Sequence, residues 1–171
     1  LVHRAPRSHV PSLSTGSWVA ASAAMTTAMN DVARCARGAG TVAIVGEPGS
    51  GRSSLAARLH AASRRTGALV VLSPATVGDE LVLPILFGNE EGAYPGATRA
   101  RPGLLEEADG GTLVVDGLEA ARPALATALA AFLDRGQVTR VGGSEARKVD
   151  VRVIAITTHA PSRQSSSAMP L

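Results

Sequence analysis

The sequence predicts an α/β fold in which a central parallel sheet lies between two layers of helices. Three observations carry that expectation. Short apolar runs, several of them β-branched, occur at TVAIV (41–45), LVVL (69–72), TLVV (112–115) and VRVIAIT (151–157). They alternate with stretches of helical period, and that alternation implies parallel pairing through right-handed crossovers. Polar features close three of the runs: a glycine loop after Val45, Asp116, and the pair Thr157-Thr158. In parallel sheets ligands bind at the carboxyl ends of the strands, so these three are expected together.

Residues 1–17 hold Pro, Ser, His and Arg without periodicity and are expected to be a linker. A helix is expected over Trp18–Arg37, because Met25, Met29, Val32 and Ala36 share one helical face. Gly38 and Gly40 stop it. Thr41–Val45 suits a strand buried on both faces. A helix follows from Ser53 to Arg65, with Leu55 and Leu59 inward and Gly67 as its end. Leu69–Leu72 is a second buried strand, and a short helix spans Asp79–Leu86 despite Pro84. Residues 88–103, GNEEGAYPGATRARPG, form a long loop of the kind that is often functional.

A short helix at Leu104–Ala108 leads to the third buried strand, which ends at Asp116. The next helix, Arg122–Arg135, has Pro123 in its first turn and Leu125, Leu129, Phe132 and Leu133 on its buried face. Residues 138–141 and 146–149 pair as a hairpin around Gly142 and Gly143, and Val151–Thr157 is the fourth strand. The last stretch, residues 161–171, reads as a disordered tail.

With 171 residues the chain can build one domain with a core. Aromatics are only 2%, so Ala, Val and Leu must fill that core. No apolar run approaches the roughly 20 residues of a membrane helix, and no hydrophobic block follows the basic N-terminal residues. A lone cysteine, Cys35, excludes an internal disulfide and suits a reducing, cytoplasmic setting as a small core residue. The net charge of +3 rests on arginine, Lys148 being the only lysine among 17 basic residues. These arginines form no tract and are expected to decorate a solvated surface rather than to grip nucleic acid. The histidines at 3, 9, 60 and 159 have no metal-ligand spacing.

The stretch TVAIVGEPGSGRSS (41–54) carries the chemistry. Against the phosphate-loop pattern G-x-x-x-x-G-K-[ST], Gly46, Gly51 and Ser53 fall in place, while Arg52 takes the lysine position. Gly46, Glu47, Pro48, Gly49, Ser50, Gly51, Arg52, Ser53 and Ser54 are the expected nucleotide contacts. Their backbone N–H groups can surround phosphate oxygens, and the helix that follows adds its positive end. The Ser53 hydroxyl and the Asp116 carboxylate are the expected Mg²⁺ ligands. A guanidinium is bulkier than an ammonium and not interchangeable with it, so Arg52 weakens binding and disturbs the terminal phosphate. Gly117 follows Asp116 directly and cannot orient water, whereas Glu119 lies two residues further on with its direction open.

ILFGNEEGAYPGA, GLLEEADGGTLVVDGL, LDRGQVTRVGG and VDVRVIAITTH occur in this order, and together they resemble the central AAA+ domain of sigma-54-dependent transcription activators. The resemblance covers about residues 18–160. It implies a P-loop NTPase of three layers, the αβ subdomain of an AAA+ protein, that assembles as a ring and remodels a closed promoter complex on ATP hydrolysis. By position, Gly46–Ser53 match the phosphate loop and Asp116 the magnesium-site aspartate, while Thr158 falls at the γ-phosphate sensor, so Asp116 and Thr158 are the catalytic candidates. Gly92, Ala93, Tyr94, Pro95, Gly96 and Ala97 match the loop that touches an RNA polymerase sigma factor.

The sequence also departs from the family. The family's GAFTGA is GAYPGA here, and Pro95 removes the threonine used on sigma-54, which puts that particular partner in question. Gly117 stands at the catalytic glutamate and Ser73 at the asparagine that positions it. The family's fifth strand, arginine fingers, helical lid and DNA-binding helix pair are not within these residues, and a whole protein is expected to carry them beyond residue 171. The first strand is therefore expected at an open sheet edge. The resulting expectation is an ATP-binding regulator domain with slow or no hydrolysis. An active ATPase compensated by Glu119, or an interaction module without a nucleotide, are the alternatives.

Overall fold

The computed structural model describes residues 23–159. The expected N-terminal linker, the start of the first helix and the expected tail from residue 161 lie outside the described residues. Within them the first helix, α1, runs Ala23–Cys35, with Met25, Met29, Val32 and Ala36 half-buried on one face. Then come β1 (Val42–Val45), α2 (Arg52–Ala62), β2 (Leu69–Leu72), α3 (Asp79–Phe87), β3 (Gly88–Asn89), β4 (Arg101–Pro102), α4 (Leu104–Glu107), β5 (Thr112–Asp116), α5 (Pro123–Arg135), β6 (Gln137–Thr139), β7 (Ala146–Lys148) and β8 (Arg152–Thr157). Pro84 sits inside α3, tolerated within a helix of only nine residues.

The main sheet has the order β1-β8-β5-β2, and all three pairings are parallel. It separates two apolar cores. On one face Val70, Leu72, Leu113, Val115 and Val153 meet Val82 and Leu86 of α3, Leu105 of α4, and Leu125, Leu129 and Phe132 of α5. On the other, Val114, Ile154 and Ile156 meet Ala56 and Leu59 of α2, with Val32 and Cys35 of α1 and Ala36 just after it alongside. This is the expected three-layer arrangement. Burying a Leu or Ile side chain is worth about 1.5–3 kcal/mol, so these side chains fix the layers.

Two expectations are corrected. β1 is not buried on both faces: Val42 and Ile44 pack inward while Ala43 is exposed and Val45 is 46% exposed. Its outer edge has no strand partner among the described residues, so the expected open edge is present, but the expected double burial belongs to β8, buried at all six positions. The arginines are not all surface decoration either. Arg152 is only 3% exposed and donates from Nε to Gly40 O (3.2 Å) and from Nη2 to Cys35 O (2.6 Å), tying the end of α1 to the sheet. Arg65 donates from Nε to Gly111 O at 2.6 Å and pairs with Asp150. A buried guanidinium needs partners for its donors, and backbone carbonyls meet Nε and Nη2 of Arg152 while its Nη1 finds none.

The long 88–103 segment is a closed loop. β3 and β4 pair antiparallel at its base, and Asn89, 3% exposed, donates from Nδ2 to Glu90 O and Arg99 O, both at 3.0 Å. The expected hairpin forms between β6 and β7 over shorter strands than expected, with Val138 opposite Arg147, and its turn braces the loop through Glu90 N to Val141 O at 3.0 Å.

Candidate nucleotide site

β1 delivers the chain to the phosphate loop at the carboxyl edge of the sheet. Gly46 N donates to Thr157 O at 3.2 Å, so the first loop residue is pinned to the end of β8. Gly49 and Gly51 take positive φ of 81° and 89°, a region that a Cβ disfavours, and the chain then turns into α2 at Arg52. The N-terminus of α2 has no side-chain cap, which leaves its first N–H groups free to face an anion.

Two of the sequence-chosen groups meet here. Ser53 Oγ donates to Asp116 Oδ2 at 3.2 Å, across 63 residues of sequence. Both are hard oxygen donors, so the pair fits a magnesium ion. Thr158 directly follows β8, which lies between β1 and β5. Arg52 Nη1 is buried and finds no hydrogen-bond partner. A buried donor without an acceptor is costly, and a phosphate oxygen would satisfy it. Gly46 stands against this side chain: a Cβ there would lie 3.6 Å from Arg52 Cδ and 2.9 Å from Ser50 Oγ. The arginine is thus folded over the loop. The residues fit a nucleotide phosphate and its metal.

Sequence reasoning left one site residue undecided. Glu119 sits on a 3-10 turn (Leu118–Ala120), and its Oε1 accepts from Thr158 Oγ1 at 3.2 Å. Thr158 Oγ1 also lies 2.7 Å from His159 Nδ1. The Glu119 carboxyl is held below the usual range by its own backbone N–H, with the Thr157 and Thr158 hydroxyls adding to the effect against partial burial. No sequence spacing announces this contact, because it depends on how the chain turns after Asp116.

The six loop residues expected to meet a sigma factor lie well apart in sequence from this site, on the 88–103 loop. Gly92 N donates to Ala97 O (2.8 Å) and Ala97 N to Tyr94 O (2.9 Å), so the loop folds back on itself with Pro95 and Gly96 exposed, Ala93 and Tyr94 half-buried and Ala97 buried.

Residues 18–168 match the family model described as the sigma-54 interaction domain. The chain belongs to that family. Among relatives, the "Transcriptional regulatory protein ZraR" of Klebsiella oxytoca is 39% identical over 137 residues, covering 80% of this chain and 31% of its own length. The "Nif-specific regulatory protein" of Klebsiella pneumoniae is 38% identical over 155 residues, covering 89% of this chain and 30% of its own. This sigma-54 interaction domain therefore spans about a third of the curated relatives it matches. The crystal structure of NtrX from Brucella abortus superposes with a TM-score of 0.78 at 30% identity, over 88% of this chain and 34% of that one. The same protein has been solved in complex with ATP, with a TM-score of 0.73 at 31% identity, over 89% of this chain and 32% of that one.

Proposed function

We propose that this domain binds ATP with Mg²⁺ in a transcription regulator of the sigma-54-activator type, and that it hydrolyses ATP slowly. The observation that carries the reading is the meeting of Ser53 with Asp116 beside a loop whose Arg52 Nη1 lacks an acceptor. The relatives named as transcription regulators, and NtrX bound to ATP, support it.

The chain's own residues divide the work. The backbone of Gly46–Gly51 and the first turn of α2 hold phosphate oxygens, and Arg52 satisfies its free donor on one of them. Ser53 and Asp116 hold the metal, which when bound neutralises phosphate charge. Thr158 places a hydroxyl at the end of β8, where the terminal phosphate would be sensed. Slow turnover follows from two substitutions: a planar guanidinium in place of a point charge, and glycine at 117. The 92–97 loop presents Pro95 and Gly96 to an RNA polymerase sigma factor, a contact other than the family's threonine contact with sigma-54. Ring assembly, DNA contact through another domain and a cytoplasmic site of action belong to the whole protein in this reading.

The test is titration of the whole protein with a fluorescent ATP analogue, with and without Mg²⁺. Binding that weakens at least tenfold in Arg52→Glu and loses its Mg²⁺ dependence in Ser53→Ala is the expected result. A protein that ignores ATP at millimolar concentration would sink the proposal.

A further inference from the structure

We infer that Glu119, held by Thr158, is the group that orders the attacking water at this site. The inference rests on the ATP-binding reading above and assigns a residue to its chemistry. It begins with Gly117, which takes φ 87° and ψ 54°, a left-handed conformation that a Cβ would strain. Gly117 N donates to Ile156 O at 3.0 Å, so the chain leaves β5 still anchored to β8. The left-handed step then turns the backbone into the 3-10 turn and carries Glu119 across to the end of β8. A carboxylate at 117 would be strained in this path, while one at 119 is presented by it. The loss at one position and the contact at the other are thus two results of one backbone turn.

The neighbouring hydrogen bonds give the carboxylate a direction. A hydroxyl has one proton. If Thr158 Oγ1 donates it to Glu119 Oε1 (3.2 Å), then the 2.7 Å contact with His159 requires Nδ1 to carry hydrogen and donate to Thr158. The chain of donation runs from His159 to Thr158 to Glu119, and Glu119 is an exposed residue. Gly46 N donates to the carbonyl of Thr157, the residue before this hydroxyl, so the carboxylate stands one strand from the phosphate loop. In the step itself the water oxygen forms a bond to the terminal phosphorus. The bond from that phosphorus to the bridging oxygen breaks, its electron pair leaves with ADP, and the water proton passes to Glu119.

Two measurements on the whole protein test this. The first needs no turnover. A negative carboxylate beside the terminal phosphate repels it, so Glu119→Gln is expected to tighten ATP about threefold and leave ADP unchanged. The second is phosphate release at saturating ATP. A positioned acid–base group contributes about 10²–10⁴-fold, so Glu119→Gln is expected to slow release by about a hundredfold, with partial recovery in Glu119→Asp. Thr158→Val, which removes the hydroxyl that orients the carboxylate, is expected to slow release less than Glu119→Gln. A Glu119→Gln protein that releases phosphate at the parent rate, or a parent that binds ATP and releases none, overturns the inference and leaves the binding reading standing. A parent that binds no ATP overturns both.

Discussion

The two glycine-rich loops of this domain look alike in sequence and are built in opposite ways. The phosphate loop is held by few bonds, chiefly Gly46 N to Thr157 O and Ser50 N to Glu47 O, and its shape comes from torsions that only glycine takes easily. The 88–103 loop is held by packing and charge at its base. Arg140 makes a paired contact with Glu106, Nε to Oε1 at 2.7 Å and Nη2 to Oε2 at 2.8 Å, and reaches Glu90 at 3.3 Å. Both partners of the main pair are shielded, at 16% and 13% side-chain exposure, so the pair is stronger than a surface one. The comparison teaches that glycine content marks a loop but not its stiffness. One loop is a cradle that an anion would complete, and the other is a braced arm that keeps its shape without a ligand.

The contrast can be broken first at the base of the braced arm. A Cβ on Gly103 would lie 2.3 Å from Gly88 N and 2.5 Å from Leu86 O, which are backbone atoms that cannot step aside. Gly103→Ala is expected to cost about 3 kcal/mol or more, read from a denaturant midpoint. Next in size, Arg140→Met leaves Glu106 half-buried with only Arg147, at 3.2 Å, and should cost about 2 kcal/mol in the same assay.

The pH dependence sharpens the same point. Hydrogen bonding to Arg140, against some desolvation, holds the Glu106 carboxyl below its ordinary 4.5. A depressed folded value means the contribution is complete above 4.5 and is lost as pH falls through the lower folded value. Thermal melts at successively lower pH should show that loss in the parent and a shallower one in Arg140→Met. On the cradle side Gly51→Ala forces a Cβ onto φ 89° and should cost about 1 kcal/mol, with a larger loss of ATP affinity. Smallest of all, Arg52→Lys should change stability by less than about 0.5 kcal/mol while tightening ATP binding in a titration.

Much of the fold was legible because it rests on local period. The β-branched runs became β1, β2, β5 and β8, and the face Leu125, Leu129, Phe132 of α5 is buried as its spacing requires. The phosphate loop and Asp116 were legible because residue type and chain order suffice to name them. The burial of β1 was misjudged although its edge place was expected, because an apolar run does not tell which of its two faces a helix covers. The structural arginines were missed for a related reason: VRVIAIT places Arg152 among apolar neighbours, a signal of burial that composition alone conceals.

By itself, then, the sequence determined the elements, their alternation and the loop that can receive phosphate, since each follows from side-chain size, branching and the freedom of glycine. Only the tertiary structure decided the strand order that exposes Val45 and buries Ile154, the Arg140–Glu106 brace, and the placing of Glu119 on Thr158. Those contacts join residues as many as 39 positions apart, and such distances are set by how layers pack, which no local pattern encodes.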